Sequence, residues 1–90
     1  MTNQIEQTLL EFPCRFPIKA MGRHDGDFEN IVTQIVTCHA GLWPGEVVSS
    51  APSKAGNYLS VTVVVEATSQ QQLDAIYQEL TDCEQVLMAL

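Results

Sequence analysis

Two histidines, three cysteines and four cations are the side chains of this 90-residue chain from which catalysis or recognition would have to be built. Cys38 and His39 are neighbours, but on a helix adjacent side chains diverge by about 100°, so the imidazole is badly placed to activate the thiol. Cys14, Cys38 and Cys83 are odd in number and form no C-x-x-C pair. They fit neither a disulfide framework nor a zinc site and are expected to be reduced, mostly buried small hydrophobes. His24 and His39 have no second ligand at metal-binding spacing, so no metal or other cofactor is expected. No G-x-S-x-G, P-loop, dinucleotide fingerprint or H-E-x-x-H occurs, and no catalytic residue is assigned.

Recognition is better supplied. Lys19, Met21 and Tyr58 fall at outward positions of two alternating segments, where an ammonium and a phenol provide charge and oriented hydrogen bonds among small side chains. Arg23 and Asp25 would form the rim, in the turn Arg23-His24-Asp25-Gly26-Asp27. Lys54 and Asn57 belong to the loop that leads into Tyr58. A plainer reading exists for each: a half-wet sheet face needs no ligand, and Asp25 or Asp27 would cap the following helix, filling the N–H groups that an anion would otherwise use. Trp43 beside Pro44 is read as covering the end of the core, with an exposed partner anchor as the alternative.

The elements that position these residues follow from periodicity. Phe16, Ile18, Ala20 and Gly22 alternate with Pro17, Lys19, Met21 and Arg23, the period of a strand with one buried face. Phe28, Ile31, Val32, Ile35, Val36 and His39 form a helical stripe that Gly41 should terminate. Glu46 to Ser50 predicts a short edge strand of uncertain register, and Ala51 to Gly56 a loop. In the segment Asn57 to Ala67, Leu59, Val61, Val63 and Val65 point inward and Tyr58, Ser60, Thr62, Val64 and Glu66 outward. Thr68 with Gln71, or Ser69 with Gln72, offers a capping box for a second helix bearing Leu73, Ile76, Tyr77 and Leu80. Val86 to Leu90 is the last strand. The order is β-α-β-β-α-β, predicting an α+β ferredoxin-like plait: a four-stranded antiparallel sheet with two helices on one face and the other face open. Residues 1–90 are read as one domain with a short helical extension over about residues 3–11.

Eleven carboxylates against Arg15, Lys19, Arg23 and Lys54 give a net charge of −7. So acidic a chain repels polyanions, and Tyr58 lacks the aromatic partner with which plaits of this order stack bases, so nucleic acid is not an expected ligand. No apolar run approaches the roughly 20 residues of a membrane span, and no signal-peptide pattern opens the chain, which points to the cytoplasm. The weakly patterned stretch around Val47 and Val48 has little edge protection, which predicts a homodimer through an edge strand or the open face.

Glu11-Phe12-Pro13, Lys19-Ala20-Met21-Gly22, the stretch from Ser53 to Val61 (S-K-A-G-N-Y-L-S-V) and Ala67-Thr68 resemble the YbeD-like family of small bacterial proteins of unknown function. The resemblance spans nearly the whole chain. It implies a plait similar to the ACT-type regulatory domains of amino-acid metabolism, such as that of phosphoglycerate dehydrogenase, without established catalysis; some members carry a lipoate-regulatory label. The expected function is therefore a non-enzymatic regulatory or interaction module, acting in lipoate or amino-acid metabolism, that binds a small metabolite or a protein partner. The alternative is a small acylphosphatase-like hydrolase on the same plait. That activity would need a phosphate cradle after the first strand, where Arg23 stands without the glycine-rich V-Q-G-V-like setting.

Overall fold

The computed structural model describes residues 10–90. Its elements are β1 (Cys14–Arg23), α1 (Phe28–Thr37), β2 (Ser49–Pro52), β3 (Tyr58–Ala67), α2 (Gln70–Asp82) and β4 (Val86–Ala89). The strands form one antiparallel sheet in the order β2-β3-β1-β4. β1 and β3 pair without interruption from Cys14 opposite Ala67 to Arg23 opposite Tyr58. The alternation of each strand sets the phase of the other: Ile18 faces Val63 and Ala20 faces Val61 on the inner side, where all four are fully buried. Val32 and Val36 of α1 and Leu73, Ile76 and Leu80 of α2 close over that side in a single core. The fold is a ferredoxin-like α+β plait.

Both helices follow their apolar stripes, but only one begins as the sequence predicts. Ser69 caps α2 by accepting the Gln72 N–H at 3.0 Å, while Gln72 Oε1 accepts the Thr68 N–H at 2.8 Å. Ser69 is therefore the cap, Gln72 reaches past it to Thr68 instead of closing the box on the Ser69 N–H, and the Thr68–Gln71 box has not formed. The same Gln72 amide donates to the His39 carbonyl at 2.9 Å and, together with a His39–Glu79 contact of 2.6 Å, ties the two helices. Asp27 occupies the N-cap position of α1, yet neither its carboxylate nor that of Asp25 makes a capping bond. Its backbone, at φ −102° and ψ 31°, lies outside the extended conformation that aims a capping side chain at the first turn. The C-terminus also departs from expectation. His39 and Ala40 both donate to the Val36 carbonyl at 3.1 Å, so the helix closes before Gly41, which has no left-handed φ.

The second strand shifts toward the C-terminus. β2 covers Ser49–Pro52 rather than 46–50, Val47 lies exposed ahead of it, and the loop contracts to 53–57, where Gly56 turns at φ 79°. All four β2 residues are exposed, so no burial pattern marked its place. The thiols are less buried than expected: Cys38 is exposed because it lies off the α1 stripe, and Cys14 and Cys83 are half-buried. Of the predicted N-terminal extension, residues 3–9 lie outside the described residues, and Leu10 and Glu11 are not helical.

Candidate functional site

β1 sends Arg15, Lys19, Met21 and Arg23 to the outer face of the sheet. Opposite them on β3 stand Thr62 beside Lys19, Ser60 beside Met21 and Tyr58 beside Arg23, with Ala51 of β2 beyond Ser60. On the other flank Met88 pairs with Met21, and Leu90 exchanges backbone hydrogen bonds with Lys19 at 2.7 and 3.2 Å. Met88 and Leu90 are 51% and 66% exposed, so an apolar strip borders the lysine. Sequence reasoning missed both. Leu87, Met88 and Leu90 are all apolar, so the last strand carries no alternation from which to read a face.

At the far end of this face Arg15, Pro17 and Glu66 are exposed and Val64 is covered. Arg15 donates from Nε and Nη2 to Glu46 Oε2 at 3.2 and 3.0 Å, drawing the segment before β2 over the far end. Gly41 and Trp43 bond along β3 there: the Glu66 N–H donates to the Gly41 carbonyl and the Trp43 N–H to the Val64 carbonyl, each at 2.9 Å. Val64, expected to be open, is only 6% exposed. Trp43 is half-buried at this end and is not among the side chains packed on the helix-covered core, contrary to its predicted role.

The predicted site residues divide between adjoining hollows. Lys19, Met21 and Tyr58 line a shallow cavity of about 280 Å³ with Pro52 and Ser53 at its wall. Arg23, Asp25 and Asn57 line a neighbouring one of about 350 Å³, which Tyr58 shares. Tyr58 is the joint between them. Lys54 lines neither, because it projects from the 53–57 turn beyond the sheet. Arg23 and Asp25 also border a third cavity, of about 330 Å³, with Phe28, Ile31, Glu84 and Leu87. This cavity was illegible in the sequence, since it joins the start of α1 to the start of β4. A shift of register between Met21 and Gly22 displaces Leu87 from the ladder at that point. Gly22 permits the approach: a Cβ there would lie 2.4 Å from both the Gln85 carbonyl oxygen and Phe28 Cε1. Tyr77 secures the strand from the helical layer, donating to the Leu90 carbonyl at 2.9 Å, and burial pushes its phenol above the ordinary value of 10.0.

Residues 7–90 match the model of a family described as "Protein of unknown function (DUF493)". The chain belongs to the DUF493 family. This agrees with the YbeD-like resemblance in the sequence. A UPF0250 protein of Leptothrix cholodnii is 44% identical over 85 residues, covering 94% of this chain and 93% of its own. One from Neisseria gonorrhoeae is 43% identical with both chains fully covered, and one from Paraburkholderia phymatum 37% identical over 96% of this chain and 97% of its own. Among solved structures, protein HP0495 from H. pylori superposes with a TM-score of 0.62 at 15% identity, covering 90% of this chain and 85% of that one, which supports the plait. None of these names describes an activity. Nor do the comparisons support the acylphosphatase-like alternative for this DUF493 chain, and the loop after β1 reads Arg23-His24-Asp25-Gly26-Asp27, without the glycine-rich cradle that activity would need.

Proposed function

We propose that this DUF493 protein is a non-enzymatic, cytoplasmic regulatory module that recognises an anionic group, on a small metabolite or a protein partner, at the Lys19–Tyr58 end of its outer sheet face. The observation that carries this reading is the sorting of charge. Arg15, Lys19 and Arg23 occupy outward positions of β1 and Lys54 the adjoining loop, so all four cations lie on or beside one face of a chain of net charge −7. Glu29, Asp74, Glu79 and Asp82 are on the helices, with Asp27 and Glu84 at their ends, whereas Glu46 and Glu66 stand beside Arg15 and Asp25 beside Arg23. Arg15 is engaged by Glu46, while Lys19, Arg23 and Lys54 form no ion pair among the described residues. Lys19 would take a carboxylate and Tyr58 would orient it by hydrogen bonding. The acidic balance and the single aromatic on this face support a ligand other than nucleic acid. A homodimer would use an edge of the sheet, β2 or β4, because two outer faces brought together would oppose Lys19 and Arg23 to their own copies.

NMR titration of the labelled protein with a panel of carboxylates and phosphate esters tests the reading, comparing wild type with Lys19→Ala. Expected are shifts at Lys19, Met21, Ser60 and Tyr58 that weaken in the variant. Shifts confined to the helices, or indifferent to the loss of Lys19, overturn the location. Turnover of an acyl phosphate that persists through repurification overturns the non-enzymatic reading.

A further inference from the structure

We infer that the Lys19–Arg23 end of the outer face is a docking surface for an acidic, amphipathic helix of a protein partner, lying along β1. The inference rests on the reading that this face binds anionic groups and specifies what carries them. No residue of β2 or β4, of β1 from Lys19 to Arg23 or of β3 from Tyr58 to Thr62 is acidic, so the strands at this end carry only the cations Lys19 and Arg23, with Asp25 bordering Arg23 at the rim. The centre of this end is apolar. Met21 and Met88 lie side by side, with Leu90 and the ring of Tyr58 on either flank, all four exposed.

Spacing and depth identify the occupant. Lys19 and Arg23 stand on the same face of one strand four residues apart, a span of about 13 Å at 3.3 Å per residue. Carboxylates two turns apart on a helix are separated by about 11 Å, and the flexible lysine and arginine stems absorb the difference. Apolar residues between those carboxylates would rest on Met21 and Met88, as in other helix-on-surface complexes with anchors at i, i+3 or i+4, and i+7. Methionine suits such a surface because its unbranched thioether adapts to different partners. A small metabolite fits less well, since the hollow at Lys19 is an open dish and ligand sites enclose most of their ligand. A second copy fits less well too. Face-to-face pairing opposes like charges, and seating the acidic helices of one copy on the sheet of the next makes a head-to-tail contact that grows without closing.

Selection from a display library of random peptides roughly 16 residues long, about four helical turns, tests this against the purified protein. Enriched sequences should place Asp or Glu about two turns apart around an apolar stripe, weaken with added salt, and lose about tenfold or more in affinity for Lys19→Glu/Arg23→Glu. Both positions are exposed, so the double variant should melt like wild type. Selected peptides should also shift the methyl signals of Met21 and Met88. No enrichment over uncoated support, enrichment of basic or neutral sequences, or equal binding to the double variant overturns the inference. Light scattering that shows open-ended growth with concentration, abolished by Lys19→Glu, also overturns it, in favour of a second copy. Small carboxylates that shift Lys19 and Tyr58 while no acidic peptide enriches would refute the helix and leave the anion-binding surface standing; failure of both ligand classes to touch the face would refute both.

Discussion

Replacing Gly22 by alanine adds one methyl group at the point where β1, β4 and α1 meet. The new Cβ would sit 2.4 Å from the Gln85 carbonyl oxygen, 2.4 Å from Phe28 Cε1 and 2.6 Å from Phe28 Cζ. Ordinary carbon contacts begin near 3.5 Å, so the neighbours must retreat by about 1 Å. Neither can do so freely: one is backbone at the entry to β4, and the other is a ring only 2% exposed. Overpacking of this kind costs about 1 to 3 kcal/mol, and alanine's higher strand preference returns about 0.5 to 1 kcal/mol. With the collision at both atoms taken at the upper end, the net loss is about 2 kcal/mol. In a domain of 90 residues that is a fall of roughly 8 to 16 °C in Tm. Thermal unfolding followed by circular dichroism measures it, with Gly41→Ala as control, because a Cβ at Gly41 meets nothing within 4 Å and its φ is not left-handed. The variant should also disturb amide signals at Arg23 and Leu87, whose shared cavity depends on this approach. Equal melting temperatures for Gly22→Ala and Gly41→Ala would refute the steric argument and the placement of β4 against Gly22.

Val61 is fully buried between two apolar neighbours of β3, so Val61→Asp places an unpaired charge in the core and should cost several kcal/mol of a total of about 5 to 15, abolishing the cooperative transition; a cooperative melt like that of wild type would show that β3 had been phased incorrectly. Ser69→Ala removes the cap of α2 and should destabilise by about 1 kcal/mol in urea unfolding, whereas Thr68→Ala, whose side chain makes no capping bond, should stay within about 0.5 kcal/mol; equal losses would contradict the assignment. The Tyr77 phenol is held above 10.0 by burial, so the folded state keeps its proton longer than the unfolded chain does. Its contribution is complete below about pH 10 and fades as pH rises through the higher folded value, and Tyr77→Phe should flatten that part of the urea-midpoint profile; the same alkaline slope in both proteins would exclude Tyr77 as its source.

The helix-covered layer was legible because its signal is local. Alternation in Lys19 to Arg23 and Tyr58 to Val65 sets which side chains face inward, and the stripes from Phe28 and Leu73 can be buried only against that side. That pattern alone puts Lys19, Met21 and Tyr58 on one surface. What the chain leaves unspecified lies where the pattern is flat. β2 is exposed at all four positions and β4 is apolar on both sides, so neither encodes its own register, and their limits come from pairing with β3 and β1. Long-range contacts made the remaining decisions. Arg15 meets Glu46 across 31 residues at the end of the outer face where Val64 is buried, and Gln85 comes against Gly22 beside the cavity that Arg23 lines. A residue's own type and its near neighbours state which way it faces; what stands opposite it is fixed only when distant segments pack, since each such contact depends on the path of the whole chain between them.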